Sequence, residues 1–252
     1  MLHFDDIVFG PISSRRLGSS LGVNILPSKG KLCNFDCIYC ECGWNKDGVG
    51  DGSFPDYDQV RFALETRLAE IASEGIRVDS ITFSGNGEPT LHPDFAKIID
   101  LTLALRDRYF PQAKVSVLSN AALAWREDIF QAMCRVDNPI MKIDAGVQQM
   151  VQEINRPSGM YDLGRVVDSL ERFEGRFVLQ TMFLRSGNFD AVTPESLSAW
   201  MDIVRRLRPR EIMIYTIDRE TPDKSLSKYS AEEMEELVRP LLDEGFIIKI
   251  SG

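Results

Sequence analysis

Cys33-Asn34-Phe35-Asp36-Cys37-Ile38-Tyr39-Cys40 places three thiols within eight residues, in the spacing C-x3-C-x2-C. One short loop of this kind brings three thiolates to one place, and thiolates are the usual holders of iron–sulfur clusters. A cubane cluster has four irons, so three protein ligands leave one iron open to a small molecule. That makes a reaction centre rather than an electron store. Two other readings compete. A structural zinc site wants four ligands, often as two C-x2-C-like pairs; Cys42 would serve as a fourth, but no distant pair completes a zinc ribbon. A disulfide framework fits poorly with five cysteines, an odd count, of which four crowd into residues 33–42.

Working outward, the 252 residues suit one large α/β domain, and 44% hydrophobic residues suffice for a sizeable core. No apolar run approaches the roughly 20 residues of a membrane span. The start, Met-Leu-His-Phe-Asp-Asp, is acidic and lacks the basic end and apolar centre of a signal peptide. A soluble cytoplasmic protein is expected, in a compartment where thiols stay reduced. The net charge of −9 opposes non-specific attraction to a polyanion and argues against a nucleic-acid partner.

Short apolar runs alternate with helix-like stripes along the chain. The strand candidates are Leu21–Leu26, Ser80–Ser84, Val115–Ser119, Ile140–Asp144, Phe177–Leu184 and Glu211–Ile217, with Phe246–Ile250 as a possible last strand. Several are nearly continuous in Ile, Val, Leu and Phe, as parallel strands covered on both faces should be. Between them, Val60, Leu64, Leu68 and Ile71 share one helical face that Gly75 ends. Phe95, Ile98, Ile99, Thr102 and Leu105 mark a second helix, and Ile129, Phe130 and Met133 a third. Leu163, Val166, Val167, Leu170 and Phe173 mark another. Thr193-Pro194 and the Ser230/Glu233 capping box start two more. Six strand–helix units in series imply a parallel sheet. Periodicity alone does not separate an open doubly wound sheet from a barrel.

Active sites of parallel α/β folds lie at the carboxyl ends of the strands. The first strand leads into residues 27–57, a long loop rich in Gly, Asp and Cys, and loops of that length are usually functional. The second ends in Ser84-Gly85-Asn86-Gly87-Glu88-Pro89-Thr90, whose glycines let backbone approach a ligand while Glu88 supplies an anion. The bland alternative is a tight turn. The third ends at Ser119-Asn120, where a short polar side chain either caps the strand or meets a ligand. The fourth carries Lys142 and Asp144 on one side, a pair that is costly inside a barrel unless paired or ligand-bound. The fifth and sixth carry Gln180, Met182 and Tyr215, which line a cavity or simply pack. Asn155-Arg156-Pro157 follows the fourth strand, and its arginine is either solvated or an anion contact.

The triplet with Tyr39 before its third cysteine resembles the signature of the radical S-adenosylmethionine (SAM) enzymes, and Asn86-Gly87-Glu88 resembles that family's "GGE" motif with Asn in place of the first Gly. The opening Gly10-Pro11-Ile12-Ser13-Ser14-Arg15-Arg16-Leu17-Gly18, continuing through Ser20–Asn24, resembles a subgroup related to the tRNA wyosine-synthesis (4-demethylwyosine synthase-like) Fe–S oxidoreductases. The resemblance reaches Asn155–Pro157 and Tyr215–Arg219, so it spans most of the chain. It implies a partial (β/α)6 TIM-like barrel, with residues 1–252 forming one domain, 1–20 an N-terminal segment that folds over the site, and 27–57 the cluster loop. It implies a [4Fe-4S] cluster on Cys33, Cys37 and Cys40, whose open iron binds SAM. Gly85, Asn86, Gly87 and Glu88 would hold the SAM amino group, Asn120 the ribose, and the backbone around Tyr39 the adenine. Lys142 and Asp144 would meet SAM carboxylate, ribose or substrate. A flavodoxin or ferredoxin would supply one electron, and the radical from SAM would abstract hydrogen from a substrate, a small molecule or a protein.

The wyosine enzymes carry a second cluster on cysteines ahead of the triplet, whereas no cysteine precedes Cys33. Cys42 and Cys134 are the spares, the latter expected in the packing of the third helix. Two alternatives stand beside the enzyme reading: an activating or modifying enzyme acting on a partner protein, and a non-catalytic metal-binding or redox protein that uses the cysteines alone. The substrate and the roles of Cys42, Arg15, Arg16 and Arg156 do not follow from the residues.

Overall fold

The computed structural model describes residues 4–14, 16–48, 53–187 and 189–252; Arg15 and residues 49–52 of the long loop lie outside them. In chain order the elements are β1 (Val8–Ser14), β2 (Gly18–Val23), α1 (Tyr57–Ser73), β3 (Ser80–Phe83), α2 (Phe95–Tyr109), β4 (Lys114–Ser119), α3 (Glu127–Arg135) and β5 (Asn138–Lys142). There follow α4 (Gln148–Ile154), α5 (Leu163–Glu171), β6 (Val178–Met182), β7 (Leu184–Ser186), β8 (Phe189–Asp190), α6 (Pro194–Leu207) and β9 (Glu211–Tyr215). The chain finishes with β10 (Ser227–Lys228), α7 (Ala231–Leu237), α8 (Arg239–Asp243) and β11 (Ile248–Ser251).

Eight strands form one sheet in the order β1-β2-β3-β4-β5-β6-β9-β11. From β2 onward all pairs are parallel, while β1 runs antiparallel to β2. A doubly wound sheet reverses its strand order at a switch point. Here the order never reverses, so the sheet curls one way into a half-barrel. The expected (β/α)6 half-barrel is the strand series β2, β3, β4, β5, β6 and β9, and the expected last strand is β11. A small second sheet, β10-β7-β8, stands apart from it.

Strand alternation divides the interior in two. Leu21, Val23, Ile81, Phe83, Val115, Val117, Met141, Leu179, Ile212 and Ile214 face the helices and join Val60, Leu64, Leu68, Ile71, Ile98, Ile99 and Trp200 in the main core. The opposite set faces the lumen, where Ile140, Val178 and Met213 pack with Leu17 and Leu118. On the β2–β5 side the lumen is lined by small polar groups. Ser20, Thr82, Ser80, Ser116 and Asn138 pass hydrogen bonds of 2.8–3.0 Å from strand to strand. Each of these groups has a partner, so their burial is tolerated.

Three features differ from expectation. Val8–Ser14, not among the strand candidates, is a strand; it lies at the sheet edge, where the missing N–H of Pro11 is tolerated, and its register shifts between Phe9 and Ile12. Phe177–Leu184 breaks after Met182, whose N–H turns to the Asp144 carboxylate at 2.8 Å. The N-terminal segment, read as able to fold over the site, meets the barrel at both of its ends. Its start lies at the carboxyl ends of the strands, with the Phe4 N–H donating to Asn86 Oδ1 at 3.0 Å. Its other end, the turn holding Leu17, enters the lumen from the amino end of β2.

The long loop delivers the chain into α1 through a capping box. The Asp56 carboxylate accepts the Gln59 N–H and the Gln59 side chain accepts the Asp56 N–H, both at 2.8 Å. Replacing Asp56 with Ala should lower stability by about 1 kcal/mol. An unfolding midpoint in urea equal to that of the wild type would show that this cap does not anchor the loop.

Candidate active site

The cysteine loop is stitched to the barrel along both margins. On one side the Leu32 N–H donates to the Asn86 carbonyl at 2.8 Å, and the Glu88 N–H donates to the Leu32 carbonyl at 3.1 Å. Gly87 has φ +137°, and a Cβ there would lie 1.8 Å from the Leu32 carbonyl oxygen, so only glycine allows this approach. On the other side the loop pairs with the chain leaving α4. Ile38 N–H donates to the Ile154 carbonyl and Asp36 N–H to that of Asn155, both at 2.9 Å, and Ser158 N–H donates to that of Asn34 at 2.8 Å.

Held this way, Cys33, Cys37 and Cys40 line one cavity together with Tyr39, Gly85, Gly87, Glu88, Asn120 and Lys142. Nine of the eleven residues expected at the site therefore line one cavity. Asn86 and Asp144 do not. The Asn86 amide points away, donating to the carbonyls of Phe4 (2.9 Å) and Pro27 (3.0 Å). Asp144 lies behind the wall. Its Oδ1 takes the Met182 N–H at 2.8 Å, and its Oδ2 takes the Asn155 amide at 2.6 Å and the Tyr39 hydroxyl.

Glu88 is 3% exposed and its carboxylate is already engaged. Oε1 accepts the Thr90 N–H (3.1 Å), the Thr90 hydroxyl (2.6 Å) and the Ser119 hydroxyl (2.9 Å); Oε2 accepts the Asn120 N–H at 2.7 Å. It thereby ties the glycine-rich run to the end of β4. Burial pushes its carboxyl up, against the downward pull of those bonds. Asn120 in turn donates to Asn34 Oδ1 at 2.6 Å and approaches Cys33 Sγ at 3.8 Å.

Lys142 sits at the junction of two phenols. Its ammonium donates to Tyr39 Oη at 3.0 Å and to the Tyr215 hydroxyl, and lies 4.0 Å from Asp144 Oδ1. Burial works against its charge, but Asp144 and Tyr215 outweigh burial and raise its pKa. It is a fixed cation, not a base.

Three groups take roles at the site that sequence reasoning did not assign. Lys31, its side chain 1% exposed, donates to the Gly43 carbonyl at 3.0 Å and pairs with Asp36 at 3.4 Å. Burial lowers its pKa, but Cys40, Cys33, Cys37 and Asp36 together raise it, so a buried cation stands among the three thiols. Asn155 donates to Cys37 Sγ at 3.4 Å as well as to Asp144. Asn24 receives the Asn86 N–H at 3.2 Å, behind Gly85. Arg156 is exposed and its guanidinium stacks on Trp44, with 4.9 Å to the ring centroid. Cys134, expected in packing, is exposed: α3 turns Ile129, Ala132 and Met133 inward, and the next residue, about 100° further round, faces out.

The thiols are half-buried and unpaired. Desolvation pushes the Cys37 thiol up to about 11 and Cys33 higher, whereas the hydrogen bond from Cys42 and the charge of Lys31 pull Cys40 down. Cys42 reaches the Gly85 carbonyl at 3.5 Å. Among the described residues, no three of His, Cys, Asp or Glu converge on a single metal ion. A lone zinc needs its sulfurs about 2.3 Å from one point. Three soft ligands on one cavity wall, with N–H donors to two sulfurs and a buried cation beside them, suit a larger, negatively charged cluster.

The comparisons with known proteins agree with this architecture. The family model of the Radical SAM superfamily matches residues 28–190. A UPF0026 protein of Methanocaldococcus jannaschii is 30% identical over 224 residues, covering 86% of this chain and 65% of the relative. A radical SAM methyltransferase from Sphaerobacter thermophilus superposes with a TM-score of 0.68 at 12% identity, over 92% of this chain and 65% of that one. Streptococcus suis SuiB bound to its precursor peptide SuiA does so with a TM-score of 0.65 at 13% identity, over 89% of this chain and 47% of that one. The chain thus spans about half to two thirds of the length of these proteins.

Raised folded-state pKa and stability are linked through Glu88. Its contribution is full below the unfolded carboxylate pKa and is lost as pH rises through the folded pKa. The stability margin of wild type over Glu88→Gln, measured by urea unfolding, should therefore narrow as pH rises from about 4 towards neutrality. A margin that widens over that range would mean that the four hydrogen bonds outweigh burial.

Proposed function

The chain belongs to the radical SAM superfamily, and we propose that it is a single-cluster enzyme that cleaves SAM reductively and abstracts hydrogen from a substrate, all within residues 1–252. The observation that carries this reading is the shared wall: three clamped cysteines face the same cavity as the glycine-rich run and Asn120. Cys33, Cys37 and Cys40 would hold a [4Fe-4S] cluster. When bound with SAM, that cluster supplies one-electron reduction and a hydrogen-abstracting radical.

The chain's own residues then have separable tasks. The backbone of Gly85 and Gly87 lines the cavity and would receive the methionine end of SAM. Glu88 holds that backbone against β4 through Ser119 and Asn120, leaving Asn120 to position the ribose. The backbone at Tyr39 would meet adenine, while its hydroxyl locks Asp144 and Lys142 behind and beside the cavity. Leu118, Met182 and Ile217 supply apolar walls that exclude water. Lys31, Asn155 and Phe35 N–H would offset the negative charge at the sulfurs. A flavodoxin or ferredoxin is the expected electron source.

The Gly10–Gly18 stretch resembles the wyosine-synthesis subgroup, but the relatives matched are UPF0026 proteins, and the spare thiols do not suit that subgroup's second cluster: Cys42 lies beside the first loop and Cys134 is exposed on α3. The net charge of −9 also disfavours a tRNA substrate. A peptide or protein substrate is the second reading, favoured by the open edge of the half-barrel and by the fold shared with a peptide-bound protein.

Cys37→Ala should abolish both cluster assembly and 5'-deoxyadenosine formation, read by iron and sulfide analysis and by chromatography after anaerobic reconstitution. Cys42→Ala should retain full iron. A Cys37→Ala protein that keeps its iron, or a Cys42→Ala protein that loses it, would overturn the ligand assignment.

A further inference from the structure

Two cations converge on one phenol ring in the lumen. Arg16, on the turn between β1 and β2, lies with its guanidinium carbon 4.9 Å from the centroid of the Tyr215 ring. Lys142 lies 4.9 Å from the same centroid and donates to the Tyr215 hydroxyl. Arg16, Lys142 and Tyr215 all line the cavity that holds the three cysteines.

An ammonium has three donors, and Lys142 directs two of them to Tyr39 and Tyr215. The nearest carboxylate, Asp144, is 4.0 Å away and already takes three other donors. Arg16 has five guanidinium donors, and among the described residues no carboxylate or carbonyl accepts any of them. The contrast with Arg219 on the same cavity is direct: that arginine is neutralised by Glu41 at 2.6 Å. Both cations lie 4.9 Å from the Tyr215 ring centroid, Arg16 exposed to solvent and Lys142 half-buried. An anion that both cations reach would gain two charge-assisted contacts.

We propose that Arg16 and Lys142 form an oxyanion subsite around Tyr215 that holds a carboxylate or phosphate group of the substrate. This rests on the cavity being the active site. Arg16 reaches it from the amino end of the barrel, while Lys142 and Tyr215 stand at the carboxyl ends of β5 and β9, in the same cavity as the cysteines and the glycine-rich run. Arg16 thereby becomes a specificity residue, and the Leu17 side chain packed against Ile140, Val178 and Met213 is what holds its turn in the lumen.

The test is calorimetric titration of the reconstituted, SAM-loaded protein with inorganic phosphate and, separately, with malonate, in a zwitterionic buffer. Wild type and Arg16→Gln are compared, with Arg16→Lys as the charge-retaining control. Wild type should bind one of the two anions, phosphate pointing to a phosphate ester and malonate to a carboxylic acid. Arg16→Gln should weaken that binding about tenfold or more, as loss of hydrogen bonds to a charged group implies. Arg16→Lys should recover part of it, and SAM affinity should not follow. Failure of wild type to bind either anion, unchanged binding in Arg16→Gln, or a parallel loss of SAM affinity would overturn the subsite. Iron content and SAM affinity on the same samples report on the wider enzyme reading, and the anion isotherm is read whatever they show, so each can fail alone.

Discussion

The double clamp on residues 31–40 is the constraint from which the site follows. Phe35, Ile38 and Tyr39 bury the apolar side of this loop, Ile38 and Tyr39 in the main core. The loop is fixed by backbone hydrogen bonds to the glycine-rich run on one side and to the chain leaving α4 on the other. Both clamps continue into the cavity wall. Glu88 passes from Leu32 to Ser119 and Asn120, and Asn155 passes from Asp36 to Asp144, Tyr39 and Lys142. Loop, cavity wall and lumen are thus one hydrogen-bonded unit, so a shift of the loop moves the whole site.

The half-barrel supplies what the clamp needs. Its unreversed strand order leaves one continuous lumen, and alternation along each strand sorts side chains into a helix-facing apolar set and a lumen-facing set. Deep in the lumen the set is apolar, at Ile140, Val178 and Met213. One step towards the carboxyl ends it turns polar, at Lys142, Gln180 and Tyr215. The step from apolar to polar occurs over two residues of each strand, which is the smallest interval a pleated strand allows.

The cysteine spacing, the glycine-rich run and the helical stripes were legible because each is a local pattern tied to one backbone geometry. Val60, Leu64, Leu68 and Ile71 are all fully buried as their spacing requires, and the Ser230/Glu233 box caps α7. What stayed hidden depends on contacts distant in sequence. Lys31 looks like any surface lysine until the carbonyl of Gly43 and the thiols close over it. Asn155 is only the end of a short helix until the fold brings it to Cys37. Asn86 and Asp144 were legible as polar residues at strand ends but not in their direction, which is set by partners at Phe4, Pro27 and Met182. Arg16 enters the lumen from the end of the barrel where no ligand contact is expected, because an edge strand containing proline folds back along β2.

The most direct test of the central claim is electron paramagnetic resonance of the anaerobically reconstituted, reduced protein, recorded without and with SAM. The account predicts the signal of a reduced [4Fe-4S] cluster whose g-values change when SAM is added, because one iron lacks a protein ligand. A cluster signal indifferent to saturating SAM, or a protein that retains zinc and forms no cluster, would contradict it.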